Sequence, residues 1–352
     1  MIIEKLENQE RLSFKEALSL YDLDLFTLGK YANKIRTQRF GRKTYFNINR
    51  HINPTNICKD VCQFCAYSSS RKNPNPYTMS HEEILQTVDD SLKKEIKEVH
   101  IVSAHNPDTG LKWYLDVFKK IKDKYPQLHV KALTAAEIHF LSTEYNLSYE
   151  EIIQKMIESG VDSMPGGGAE IFDEELRKRI CGGKVSSQQW LHIHKLWHNK
   201  GKQSNATMLF GHIETREHRI DHMLRLRDLQ DETHGFNAFI PLVYQKENNF
   251  LNVKEYPTGQ EILKTFAIAR IVLDNIPNLK AYWVTSSIKL ALLAQEFGAN
   301  DLDGTIQKES INSAAGANSA NGMPLEQFVQ VIQNSGFTPV ERDSVYNELK
   351  FY

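Results

Sequence analysis

A parallel (β/α)8 barrel is the fold class that this sequence predicts, and three observations predict it. Short β-prone runs alternate with helical segments along most of the chain, at intervals of roughly 20–45 residues. The runs number eight, which suits a closed barrel better than an open doubly wound sheet. The length of 352 residues accommodates one barrel of about 250 residues together with extensions at its ends.

Taken in order, residues 7–38 read as helical, with apolar positions near helical spacing in "FKEALSLYDLDLFTLGKYANKI". The strands follow at 43–52 (KTYFNINRHI), 98–104 (EVHIVSA), 129–135 (HVKALTA), 161–165 (VDSMP), 203–211 (QSNATMLFG), 236–243 (FNAFIPLV), 280–286 (KAYWVTS) and 301–305 (DLDGT). Helix starts are legible between them, because Ser80 with Glu83, Ser148 with Glu151 and Thr258 with Glu261 each fit a capping box. After Ser80, Ile84, Val88, Leu92 and Ile96 recur at every fourth residue and make one buried stripe. Gly160 and Gly201 stand where helices should give way to strands. Pro324 opens a last helix that ends near Gly336, and the tail "TPVERDSVYNELKFY" is expected to pack across one barrel end. The organisation expected is a helical extension over 1–42, a barrel over 43–322 and a terminal helix with tail over 323–352.

The charge balance excludes some partners. Lys and Arg total 43 and Asp and Glu 44, a formal net charge of −1, so no long-range field draws in nucleic acid or an anionic membrane. The segment "KKEIKE" (93–98) mixes both signs and reads as a solvated helix face. No apolar run is long enough to cross a bilayer, and the start "MIIEKLENQERLSF" has no secretory pattern. Four cysteines at uneven spacing are not a disulfide framework. A reducing cytoplasm is expected, where clustered thiols mean metal or catalysis.

The clustered thiols are Cys58, Cys62 and Cys65, in "HINPTNICKDVCQFCAYSSS". They follow the first strand directly, and the loop after a barrel strand lies on the active-site face. Three thiolates can hold three irons of a 4Fe–4S cluster, which ordinarily takes four cysteines, and so leave one iron open to a small molecule. The alternative is a zinc ion completed by His51, His81 or Cys181 in a zinc-stabilised binding barrel. Cys181, in "KRICGGK", otherwise reads as an ordinary buried thiol.

The C-x3-C-x2-C spacing, with the aromatic Phe64 before its last cysteine, resembles the radical S-adenosylmethionine superfamily. Further blocks resemble the aminofutalosine synthases of that superfamily: "KALTAAEI", "DSMPGGGAEIFDEELRKRIC", "NATMLFGHIET", "HRIDHMLRLRDLQDETHGFNAFIPL", "LDNIPNLKAYW", "ANDLDGT" and "PVERDSVYN". The likeness spans nearly all of residues 40–350. It implies a cluster held by Cys58, Cys62 and Cys65, with S-adenosylmethionine chelating the open iron and being consumed. It implies addition of the 5′-deoxyadenosyl radical to 3-[(1-carboxyvinyl)oxy]benzoate, then aryl migration and decarboxylation to 6-amino-6-deoxyfutalosine, in menaquinone biosynthesis. It also implies a one-electron donor such as flavodoxin or ferredoxin, and leaves room for a homodimer. Sister enzymes, the cyclic dehypoxanthine futalosine synthases and the deazaflavin-forming synthases, share the cysteine motif and are the alternative. One departure stands out: many members carry glycines before a His-Pro at the end of the second strand, where this chain has Ser103 and Ala104.

Other residues gain candidate roles from their positions. Three glycines in "MPGGGAE" (164–170) lack a phosphate-loop pattern and read as a tight turn where backbone approaches a ligand. Glu170 just beyond is a candidate for the ribose or amino group of S-adenosylmethionine, against a helix-start role. The resemblance further implies that Phe64 beside the last cysteine, Ser103 in the loop that approaches the methionine end and Asn205 help hold that cosubstrate, and Ile240 and Pro241 are candidates to pack on its adenine, against core packing. His105, Glu137 and Arg342 are candidates for acting on the substrate: His105 against a solvated loop side chain, Glu137 against a helix-start role, and Arg342, whose guanidinium fork suits a carboxylate, against a salt bridge to Glu341, Asp343 or another acid. The tail aromatics Tyr346, Phe351 and Tyr352 read as packing.

Overall fold

The structure is a computed structural model and describes residues 2–70, 72–306, 308–317 and 322–352. The first predicted strand is bent. It splits into β1 (Lys43–Asn47) and β2 (Asn49–Ile52), which pair with different neighbours. β2 runs parallel to β3 (Glu98–Ile101), and β3 to β4 (His129–Ala132). The next position is held by bridges alone, Lys131 to Ser163 and Met164 to Ser204. There follow β5 (Ser204–Phe210), β6 (Phe236–Val243) and β7 (Asn278–Leu279), all parallel. A bridge from Lys280 to Asp301 leads to β8 (Asp301–Gly304), which pairs with β1 and closes the ring. Counting the bent strand once and the bridged segment at 163–164 as a stave, eight parallel positions enclose a lumen.

Two predicted strands are corrected. Residues 161–165 keep only bridges, since the chain leaves the wall at Pro165 for the glycine turn. The seventh strand lies at 278–280, and Trp283–Ser286 is a helical turn although its residues favour strands. There Trp283 Nε1 donates to the Gly304 carbonyl (2.9 Å), so a packing contact overrides local propensity.

The outer helices start as the sequence indicates. Ser80 and Ser148 form reciprocal capping boxes, whereas Thr258 caps the Glu261 amide without the return bond. Gly160 and Gly201 take positive φ, where a side chain would strain the turn. Helix Leu25–Phe40 of the N-terminal extension packs on helix Gly259–Val272. Gly29 permits a tight approach nearby, because a Cβ there would stand 2.6 Å from the Phe297 ring. The "KKEIKE" segment is also corrected: the helix ends at Leu92, and Glu98 turns into the lumen, buried against Lys131. Among the described residues no helix is long and apolar enough to cross a membrane.

The tail adds two strands. β9 (Thr338–Arg342) runs parallel to β1, and β10 (Glu348–Phe351) returns antiparallel. Between them Ser344 reaches the lumen floor, where its carbonyl accepts from Asn237 Nδ2 at 3.3 Å. Tyr346 is half-buried there, its ring 4.2 Å from the Arg342 guanidinium, whereas Phe351 is exposed. The tail thus closes the end of the barrel opposite the strand C-termini.

Candidate active site

The cysteine loop is fastened on three sides. The Lys59 amide donates to the His105 carbonyl (2.9 Å), and the Gln63 amide to the Ile180 carbonyl (2.8 Å). The Gln63 carbonyl accepts from the amides of Phe250 (2.7 Å) and Leu251 (2.8 Å). Inside the loop Tyr67 Oη donates to the Thr55 carbonyl at 2.8 Å. Cys58, Cys62 and Cys65 therefore line one wall of a cavity of about 290 Å³ at the C-terminal mouth of the barrel. All four cysteines are free thiols, and burial pushes Cys58 up and Cys62 well up from the ordinary thiol range.

This donor set fits a cluster better than a single ion. A tetrahedral zinc site draws its sulfurs to about 3.8 Å apart, given Zn–S bonds of about 2.3 Å. Among the described residues no group of three or more His, Cys, Asp or Glu gathers tightly enough to hold one metal ion. A four-iron cube takes each thiolate at a separate corner, and three cysteines of one loop lining one cavity can supply three corners. Of the fourth ligands considered for zinc, His81 is away from the cavity, Cys181 is near Cys62 but does not line the cavity, and His51 lines it. His81 is on the outer surface, with Nε2 3.1 Å from the Trp113 carbonyl oxygen and Nδ1 3.1 Å from Lys120. Cys181 is buried in helix Glu174–Cys181, its thiol pushed up to about 11 by burial. His51 faces the lumen below the loop.

The segment after β3 meets this loop. The His105 amide donates to Cys58 Sγ (3.4 Å), and its ring pairs with Asp60 (Nδ1 to Oδ2, 2.8 Å) and stacks on Phe140. Ser103 lines the cavity, its Oγ buried without a hydrogen-bond partner among the described residues. Asn106 is structural, donating to Thr55 and Thr78 at 3.2 Å each. Glu137 is not brought to the cavity. It accepts from the amides of Thr134 (2.7 Å) and Ser103 (2.9 Å), and so caps helix Ala135–Tyr145 while fixing the Ser103 backbone. Burial pushes its carboxyl up, and those amide donors oppose the shift. Its expected role on the substrate is corrected to a positioning one.

The glycine turn lines the same cavity. Gly168 takes φ +87°, and a Cβ there would meet Ala136 Cβ at 2.7 Å, so close packing of the turn against the neighbouring helix requires glycine. Glu170 reaches the cavity and accepts from Lys184 at 2.8 Å. Burial alone would lower the Lys184 ammonium, but Glu170, Cys62 and Cys181 outweigh it and raise it well above its ordinary value. The same ammonium lies 5.5 Å from the Phe64 ring. Asn205 lines the cavity and donates to Asn237 at 2.5 Å. On β6, Ile240 and Leu242 face the cavity while Pro241 points away, because successive strand residues alternate faces. Pro241 is accordingly removed as a cosubstrate contact.

Arg342 is the largest correction. It is fully buried at the barrel floor, its Nε 2.5 Å from Asp301 Oδ2 and its Nη1 donating to the Asp343 carbonyl at 3.0 Å. It does not line the cavity, so its fork holds the tail to β8. Sequence reasoning also missed Lys184, His100, Lys131 and Asp303, all of which line the cavity. Lys184 follows a glycine pair with nothing local to mark it. His51, His100 and Lys131 did carry a signal, since a polar residue between apolar neighbours on a barrel strand must face either the helices or the lumen.

The chain matches the family described as "Radical SAM superfamily" over residues 52–226. It matches "CofH/MqnC C-terminal region" over residues 233–351. It is 41% identical to the aminodeoxyfutalosine synthase of Thermus thermophilus, over 100% of this chain and 96% of that protein. It is 34% identical to the cyclic dehypoxanthine futalosine synthase of Halalkalibacterium halodurans, over 100% of this chain and 95% of that protein. The crystal structure of methylornithine synthase (PylB) superposes with a TM-score of 0.77 at 17% identity, covering 96% of this chain and 97% of that one.

Proposed function

The chain belongs to the aminodeoxyfutalosine synthase family of the radical S-adenosylmethionine superfamily, and we propose that it adds the 5′-deoxyadenosyl group to 3-[(1-carboxyvinyl)oxy]benzoate, with aryl migration and decarboxylation, to give 6-amino-6-deoxyfutalosine. It is an enzyme that uses a 4Fe–4S cluster and S-adenosylmethionine. When bound, the pair supplies the adenosyl radical by one-electron cleavage of the C5′–S bond.

The chain's own residues bind, orient and exclude water. Cys58, Cys62 and Cys65 would hold three irons, and the fastened loop fixes them before the cluster arrives. Ser103 Oγ, Glu170 and Asn205 are among the polar groups that line the cavity and could meet the cosubstrate, and Lys184 orients Glu170. Ile240 and Leu242 offer an apolar wall against which a planar base can pack. The closed floor keeps bulk water from the lumen, as radical chemistry needs. We further propose that the protein acts in the cytoplasm within menaquinone biosynthesis, with a flavodoxin or ferredoxin as electron donor.

The observation that carries this reading is the position of three thiols on one wall of the barrel mouth, in a chain alignable end to end with an aminodeoxyfutalosine synthase. The second reading is the cyclic dehypoxanthine futalosine reaction, favoured by end-to-end similarity to that enzyme. Offering each substrate anaerobically and weighing the product separates them. Aminofutalosine from the enolpyruvyl benzoate supports the first, and turnover of dehypoxanthine futalosine alone supports the second.

A further inference from the structure

Below the cysteine loop the lumen carries a row of side chains that no role above uses. Strand register sets His51 of β2 beside His100 of β3, and His100 beside Lys131 of β4. All three line the cavity. The two imidazoles meet edge to face with centroids 4.6 Å apart. Each leaves its Nε2 buried without a hydrogen-bond partner among the described residues. A buried polar atom left unpaired is costly, and two of them on facing rings at a cavity wall point to an occupant that would pair them.

The charges around the row are already matched. Lys131 pairs with Glu98 and Lys280 with Asp303, each at 2.7 Å. His51 Nε2 also faces Asp303 Oδ2 at 4.0 Å, and Glu309 lines the same cavity, so an anion is held here only by donors that the row itself presents: the two imidazole Nε2 atoms and the Lys131 ammonium. His100 precedes Ser103 by three residues, so the row lies up to about 10 Å below the mouth at about 3.3 Å per residue. An occupant of the row can thus extend upward to the cosubstrate space. Arg342, the other cation expected to meet a carboxylate, is sealed by Asp301.

We propose that His51, His100 and Lys131 seat the ring carboxylate of a benzoate substrate, placing its vinyl end at the mouth. This rests on the function proposed above, in which one carboxylate leaves and the ring carboxylate persists through the reaction. The persisting group is the one that can serve as a fixed handle.

The test uses cluster-replete enzyme with S-adenosylmethionine and no reductant, so that binding is read without turnover. Calorimetry compares 3-[(1-carboxyvinyl)oxy]benzoate with the analogue whose ring carboxylate is a carboxamide. Wild type should prefer the acid at least tenfold. His51→Leu and His100→Leu should each lose at least tenfold in affinity for the acid, with affinity for the carboxamide and for S-adenosylmethionine unchanged. His100→Gln, which keeps a donor and a similar volume, should recover part of the loss. Lys131→Met is made with Glu98→Gln so that no buried charge is left alone, and should weaken the acid too. Unchanged acid affinity in both Leu variants, or equal affinity of wild type for acid and carboxamide, would overturn the proposal. Separately, reductant is added to wild type. Product without dependence of binding on the row sinks the seat alone. Binding that follows the row without any aminofutalosine sinks the functional reading and leaves the seat. No binding of either compound overturns both.

Discussion

Arg342→Met isolates the buried ion pair at the barrel floor. Arg342 and Asp301 are both fully shielded from solvent, with Nε and Oδ2 2.5 Å apart. Methionine keeps much of the arginine stem's packing but removes the cation. The Asp301 carboxylate would then be buried without its partner, a situation that costs about 3–5 kcal/mol. With an unfolding entropy of about 2.1 cal/mol/K per residue, the chain unfolds with roughly 0.7 kcal/mol/K, so Tm should fall by about 4–7 °C. Adding Asp301→Asn removes the stranded charge and should restore part of the loss. The assay is thermal unfolding by circular dichroism, beside substrate and S-adenosylmethionine affinities measured well below the transition. An unchanged Tm together with a large loss of substrate affinity would refute the assignment and return Arg342 to the substrate.

Replacing Cys58, Cys62 or Cys65 with Ala should abolish the cluster, whereas Cys181→Ala should keep the iron content and the brown colour of anaerobic protein; iron loss in a folded Cys181 variant would contradict the three-thiol assignment. Glu170→Gln should weaken S-adenosylmethionine binding severalfold at constant iron, and equal affinity would make Glu170 merely a partner of Lys184. Burial lowers His198 and His222 to about 3 from the usual 6.5, so the unfolded chain binds protons that the fold refuses as pH falls. Stability should therefore be full above about pH 6.5 and drop by about 2 kcal/mol for each of these histidines by pH 5, seen as a falling urea midpoint. A midpoint that stays flat between pH 7 and 5 would show that these rings are not buried neutral.

The barrel was legible because alternation and capping are local. Ser80 and Ser148 announce their helices through residues three positions away, and the apolar stripe after Ser80 needs no knowledge of the partner. The thiol loop was legible for the same reason. What escaped was decided at a distance. Trp283 is helical because its indole donates to the Gly304 carbonyl, and Glu98 is buried because Lys131 on the next strand donates to its carboxylate. Arg342 was misread because its partner Asp301 lies 41 positions away, in another strand. Pro241 and Ile240 differ only in which way they face, which register settles and composition does not. For Glu137 the helix-start alternative is the one the structure favours, and its signal is local: Thr134 with Glu137 three residues on is a capping box.

The measurement that bears most directly on the account is product analysis of wild-type protein. Cluster-replete enzyme is incubated anaerobically with S-adenosylmethionine, a one-electron reductant and 3-[(1-carboxyvinyl)oxy]benzoate, and the mixture is resolved by chromatography with mass detection. The account predicts 6-amino-6-deoxyfutalosine with methionine released in equal amount, and loss of both on replacing any of Cys58, Cys62 and Cys65. Methionine with 5′-deoxyadenosine and no aminofutalosine, from enzyme carrying about four irons per chain, would contradict it.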